Sequence, residues 1–161
     1  MKIPLYDEEI MSIRHNKNEI IGILKDFFCA NADSYQIDMA FLYGSWARGY
    51  PRDDSDIDVA ALFLPDKKNE DELFDSVTGI SLLLSGIFGK DVNLLVLDRD
   101  FKKPMLQYNA IVLGIPVFIR SFDSYIDFYL ESLYQMEDFS LFGIEWQLAI
   151  CEKRLKRYLN G

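Results

Sequence analysis

Histidine is almost missing from this chain. His15 is the only one among 161 residues, which nearly excludes a histidine-built metal centre or a Ser-His-Asp triad; it reads as a surface helix residue. Cysteine is scarce as well. Cys29 and Cys151 stand alone in helical patterns without metal-type spacing, so they read as buried thiols of a reducing compartment and not as a disulfide. No apolar run approaches the ~18 residues of a membrane span. The first residues, Met1 to Glu8, lack an apolar signal region, so the expected location is the cytoplasm, with no membrane partner. Basic charge is the third shortage. The chain carries 17 basic and 26 acidic side chains, a net charge of −9, which counts against an extended grip on nucleic acid but not against an end-acting enzyme. The same charge suits a protein partner with a basic surface, such as a nuclease.

What is abundant is apolar residues, at 50% of the chain. That is enough for one domain, residues 1–161, to bury an ordinary core. Elements alternate in an α/β manner. Ile20, Ile23, Leu24, Phe27 and Phe28 recur at helical spacing after the possible cap Asn18, which predicts a helix over about 18–31. Strand-like runs follow at Ile37–Tyr43 and from Asp56 to Leu64, then a turn at Pro65-Asp66. Leu73, Val77, Ile80, Leu84 and Ile87 mark a helix stopped by Gly89. A strand at Val92–Leu97, a helix from Pro104 to Leu113 with Gly114 at its end, and an edge strand at Ile115–Ile119 containing Pro116 complete the core over about 35–120. In the extension over 121–161, Phe122, Tyr125, Tyr129, Leu133 and Met136 form one helical stripe. Ile144, Leu148, Cys151, Leu155 and Tyr158 form another, after a break at Gly143. These stripes are either core, packed on the sheet or on each other, or in part a docking face that includes Tyr125, Tyr129, Tyr134 and Trp146. Lys153, Arg154, Lys156 and Arg157 suit the dipole of a final helical turn.

The chemistry concentrates between Tyr43 and Val59. Ile57 to Leu64 is apolar at every position but Asp58, as in a strand buried on both faces. Asp56 and Asp58 stand at its head, and strand alternation sends both carboxylates to one side with backbones ~6.6 Å apart. At an effective dielectric near 20, two full charges so placed repel by roughly 2.5 kcal/mol. A divalent cation removes that cost, and Mg²⁺ is the natural one, being held by one or two carboxylates plus substrate phosphates. Ten residues before Asp56, a strand ends at Gly44-Ser45. Glycine allows close backbone approach, while a serine opening a short helix offers a hydroxyl, an amide N–H and the helix's positive end to phosphate. A Ser-Asp-X-Asp run alone also occurs as a polar turn into a strand; the Gly-Ser upstream, with strand-like runs on both sides, argues for a site. Arg48 and Arg52 fit either surface charges or contacts to phosphate or a partner, and Asp53 and Asp54 read as solvated loop residues.

These residues, GSWARGYPRDDSDID, resemble the Gly-Ser, ten residues, Asp-X-Asp signature of the minimal nucleotidyltransferases in the DNA polymerase β superfamily. Ala47, Arg48, Gly49 and Ser55 extend the likeness. It implies an α/β, polymerase β-like palm fold: a mixed sheet of about four to five strands flanked by helices, with extra C-terminal helices. It also implies that Asp56 and Asp58 bind Mg²⁺, commonly two ions, and that Gly44, Ser45 and Arg48 bind the nucleotide, ATP or another triphosphate. A third carboxylate belongs on a neighbouring strand, where this chain has Asn93. Asp91, two residues earlier, would share its face and is the candidate third metal ligand and catalytic base. Small acidic members of this kind are commonly antitoxins that transfer AMP to a tyrosine of a HEPN-type ribonuclease toxin. The other expectations are a nucleotide-binding antitoxin that neutralises its partner by docking alone, and an aminoglycoside-type small-molecule transferase.

Overall fold

The structure, a computed structural model, describes the backbone of residues 6–159 except Asp53 and residues 66–68, and side chains over 17–156 with the same exceptions. His15, Asp53, Asp66, Arg157 and Tyr158 therefore lie outside the described side chains, as do residues 1–5 altogether. Among the described residues nine elements follow in order: α1 (Tyr6–Tyr35), β1 (Ile37–Tyr43), α2 (Gly44–Arg48), β2 (Ile57–Phe63), α3 (Glu70–Phe88), β3 (Val92–Leu97), α4 (Pro104–Ile111), β4 (Ile115–Ile119) and α5 (Phe122–Leu159).

Strand order in the sheet is β3-β2-β1-β4. β1 runs antiparallel to β2 and β4, whereas β2 and β3 are parallel, a pairing that needs the crossover α3 supplies. The two central strands are those whose sequences are apolar at nearly every position, because each covers two cores. Ile57, Val59, Ala61 and Phe63 of β2 join Leu24, Phe28, Ile80 and Leu84 from the α1 and α3 side. Ala60 and Leu62 point the other way, toward Phe101, Ala110, Ile111 and Phe128 on the α4 and α5 side. A register shift between Ile37 and Met39 turns the start of β1. There the buried Asp38 carboxylate accepts from Arg99 at 2.6 Å. Arg120 clasps the same corner, its Nε and Nη2 donating to Ile37 O and its Nη1 to Asp33 Oδ1. β4, with Pro116, occupies the sheet edge.

Three expectations are corrected. The first helix begins at Tyr6, so Asn18 is interior and not a cap; the apolar stripe from Ile20 marks where the helix meets the core, not where it starts. Cys29 and Cys151 are exposed: Cys29 follows the buried pair Phe27 and Phe28 and falls outside their face. The C-terminal stripes belong to one continuous helix of 38 residues, about 57 Å long at 1.5 Å per residue, because Gly143 stays helical. Only the first part of α5 is core, through Phe128 and Ser132. Farther along, Phe142 is 68% exposed, Trp146 61% and Leu148 60%.

Gly143 has nothing within 4 Å of the position a Cβ would take. Gly143→Ala is therefore expected to stabilise the helix by about 0.5–1 kcal/mol, raising helicity and melting temperature by circular dichroism. A loss of helicity would instead favour a chain break at that residue.

Candidate active site

The site forms where three strand ends meet. Antiparallel register sets Tyr43, the last residue of β1, opposite Asp58, so Gly44 follows directly beside that carboxylate. Parallel register sets Asn93 of β3 opposite Asp58 from the other side. Asn93 Nδ2 donates to Asp56 Oδ2 at 3.3 Å and to Asp58 Oδ1 at 3.4 Å, so the two carboxylates converge on one amide.

Gly44 has a φ of 73°, and a Cβ there would collide with Asp58 Oδ2 and stand 3.1 Å from its Cγ. Only glycine fits the turn on both counts. α2 then begins without a side-chain cap from Tyr43 and ends at Gly49, whose φ is 82°. Its uncapped N-terminal amides border a cavity of about 350 Å³ lined by Tyr43, Gly44, Ser45, Arg48, Tyr50 and Asn109. Arg48 Nη2 donates to Asn109 Oδ1 at 3.2 Å, which holds the guanidinium at this cavity. The loop back to β2 is fixed by Ser55, whose Oγ accepts from Arg52 N at 2.7 Å and whose carbonyl accepts from Trp46 Nε1 at 3.4 Å. Arg52 and Asp54 are exposed. A second cavity, of about 330 Å³, is lined by Asp56, Asp91, Asp54, Ser55, Ser85 and Lys90.

Asp91 thus shares a hollow with Asp56, but Asn93 is the residue bonded to the acidic pair; the Asp91 carbonyl accepts from Ile57 N at 2.9 Å. Among the described residues, no three His, Cys, Asp or Glu side chains converge as metal ligands. Two hard carboxylates meeting at one point do fit a single Mg²⁺, whose remaining positions water and phosphate can fill. Burial pushes the Asp58 carboxyl above the usual aspartate range, the nearby Asp56 adds to this, and the Asn93 hydrogen bond opposes it. Burial, with Asp58 as the lesser cause, likewise raises the Tyr43 hydroxyl. Asn109 and Lys90, whose Nζ lies 5.8 Å from the Trp46 ring centre, escaped the sequence reading. Neither belongs to the signature, and only α4 and the α3–β3 turn bring them near.

Residues 10–123 match the family described as "Polymerase beta, Nucleotidyltransferase", and the chain belongs to that family. No curated protein matches it. Among solved structures, a toxin–antitoxin with AMP-PNP contains a chain 17% identical, with a TM-score of 0.60 over 80% of this chain and 96% of that one. A tri-AMPylated Shewanella oneidensis HEPN toxin in complex with an MNT antitoxin gives 16% identity and 0.55, over 82% and 97%. The toxin–antitoxin MntA-HepT gives 19% and 0.52, over 86% and 97%. At these identities the likeness establishes the fold.

Because the folded state raises the Asp58 pKa, the unfolded chain binds fewer protons there as pH climbs. Stability linked to this group is full below the ordinary aspartate value of 3.8 and is lost as pH rises through the folded value. Asp58→Asn, in metal-free buffer, should melt higher than the native chain at neutral pH, with the gap closing in acid. An equal gap at both pH values would contradict this.

Proposed function

We propose that the chain transfers AMP from ATP to a hydroxyl of a protein partner, a HEPN-type ribonuclease toxin, and thereby acts as its antitoxin. The observation that carries the reading is the convergence of Asp56 and Asp58 beside a glycine turn that opens onto uncapped amides. The nucleotide's phosphates lie along Gly44 and Ser45, which line the cavity and carry amide and hydroxyl donors, and Arg48 adds its charge there. Asp56 and Asp58 would hold Mg²⁺, which when bound would neutralise phosphate charge. Asp91, lining the neighbouring cavity, takes the proton of the attacking hydroxyl. The hydroxyl oxygen bonds to the α-phosphorus, the bond to the bridging oxygen breaks, and pyrophosphate leaves with the electron pair. Ser45 and Arg48 stay with the departing phosphates.

The partner assignment draws on three supports. Solved relatives in this fold pair an MNT antitoxin with a HEPN toxin, one of them tri-AMPylated. The chain is acidic, at −9. From Phe139 onward α5 exposes Phe139, Leu141, Phe142, Ile144, Trp146 and Leu148, apolar on more than one side of the helix, a distribution that belongs to a helix covered by other chains. No helix among the described residues is long and apolar enough to cross a membrane. A second reading, neutralisation by docking alone, is favoured by Asn93 standing where a carboxylate base is expected.

Asp56→Ala or Asp58→Ala should abolish Mg²⁺-dependent labelling of the co-expressed partner from radioactive ATP. A partner whose mass rises by adenylyl units with the native chain and stays unmodified with either variant supports transfer. Undiminished labelling by the variants refutes the assignment of the pair. An unmodified but neutralised partner supports docking alone.

A further inference from the structure

We propose that Asn93 restricts the Asp56–Asp58 pair to a single divalent cation, so that this chain handles its nucleotide with one metal instead of two. The inference rests on the Mg²⁺-nucleotide reading above. Parallel register fixes Asn93 opposite Asp58, and its Nδ2 reaches one oxygen of each carboxylate, at 3.3 and 3.4 Å. Both contacts are long for an N–H···O hydrogen bond, so the amide spaces the carboxylates without drawing them tightly together. One cation can displace it and bind both oxygens.

A second cation is a different matter. Two-metal sites hold ions about 3.5–4 Å apart, and mutual repulsion at that range has to be offset by anionic ligands bridging or flanking both. A carboxamide brings no charge, and its Nδ2 end donates and cannot ligate. Asp91 does not make up the deficit. Its carboxylate is not part of a converging set of three acids among the described residues, and its backbone is engaged with Ile57 at the mouth of β2. Asn93 is thus a positioning residue that also sets the metal count, leaving activation of the acceptor hydroxyl to a protein carboxylate.

The test uses the full chain saturated with a non-hydrolysable ATP analogue and Mn²⁺ in place of Mg²⁺. Bound ions per chain are counted by equilibrium binding, and electron paramagnetic resonance separates isolated from exchange-coupled Mn²⁺. The native chain is expected to bind one ion with an uncoupled spectrum, and Asn93→Asp to bind two with a coupled one. A coupled pair in the native chain overturns the inference and leaves the nucleotide reading standing. One ion in both chains shows that Asn93 does not set the count. Absence of bound Mn²⁺ in the native chain overturns the nucleotide reading and this inference with it. The native-chain measurement decides the metal count even if Asn93→Asp fails to fold.

Discussion

Asp56 and Asp58 are held on one side at the head of an otherwise apolar strand, both bonded to Asn93, and most of the architecture around them follows from keeping them there. Burial in the first place, and the neighbouring Asp56 charge as a lesser cause, disfavour ionisation of Asp58. The compensations are local. Gly44 allows the chain to pass against Asp58 where no side chain fits, and Asn93 supplies two donor contacts from the adjacent strand. Central placement of β2, with a core on each face, makes the register of those three strand ends hard to alter, since a slip of one residue would exchange its buried faces.

That rigidity explains the division of labour in the fold. The sheet and the helices α1, α3 and α4 bury an ordinary core and fix the carboxylates, while the parts that line the two cavities are short: a five-residue helix, the loop closed by Ser55, and the turn between α3 and β3. The cavity at the start of α2 is lined by Gly44, Ser45 and a single basic side chain, Arg48. α5 serves two ends. Its first turns complete the core through Phe128, and its remainder extends apolar side chains away from the domain.

The strands were legible in the sequence because apolar runs bounded by Gly44, Gly89 and Pro65 admit few alternatives, and Pro116 marked the edge. The site was legible because Gly44-Ser45 and Asp56-X-Asp58 lie on consecutive strands whose antiparallel pairing must bring them together. Less was legible where tertiary contact overrides local pattern. Asn18 has the chemistry of a cap, yet the helix runs through it. Gly143 resembles a break, yet continuous helix costs only about 1 kcal/mol at one glycine. Asn93 read as a missing carboxylate; its contacts to both acids depend on a register between β2 and β3 that spacing alone does not reveal. Asp91 shared the right parity, but the amide, not Asp91, bonds to the pair.

The central claim is that the paired carboxylates exist to carry a metal–nucleotide complex. Titration calorimetry of ATP into the native chain, with Mg²⁺ and again with chelator, tests it most directly. Saturable one-to-one binding that requires Mg²⁺ is the predicted result. Equal affinity without the metal, or no heat in either condition, would contradict it.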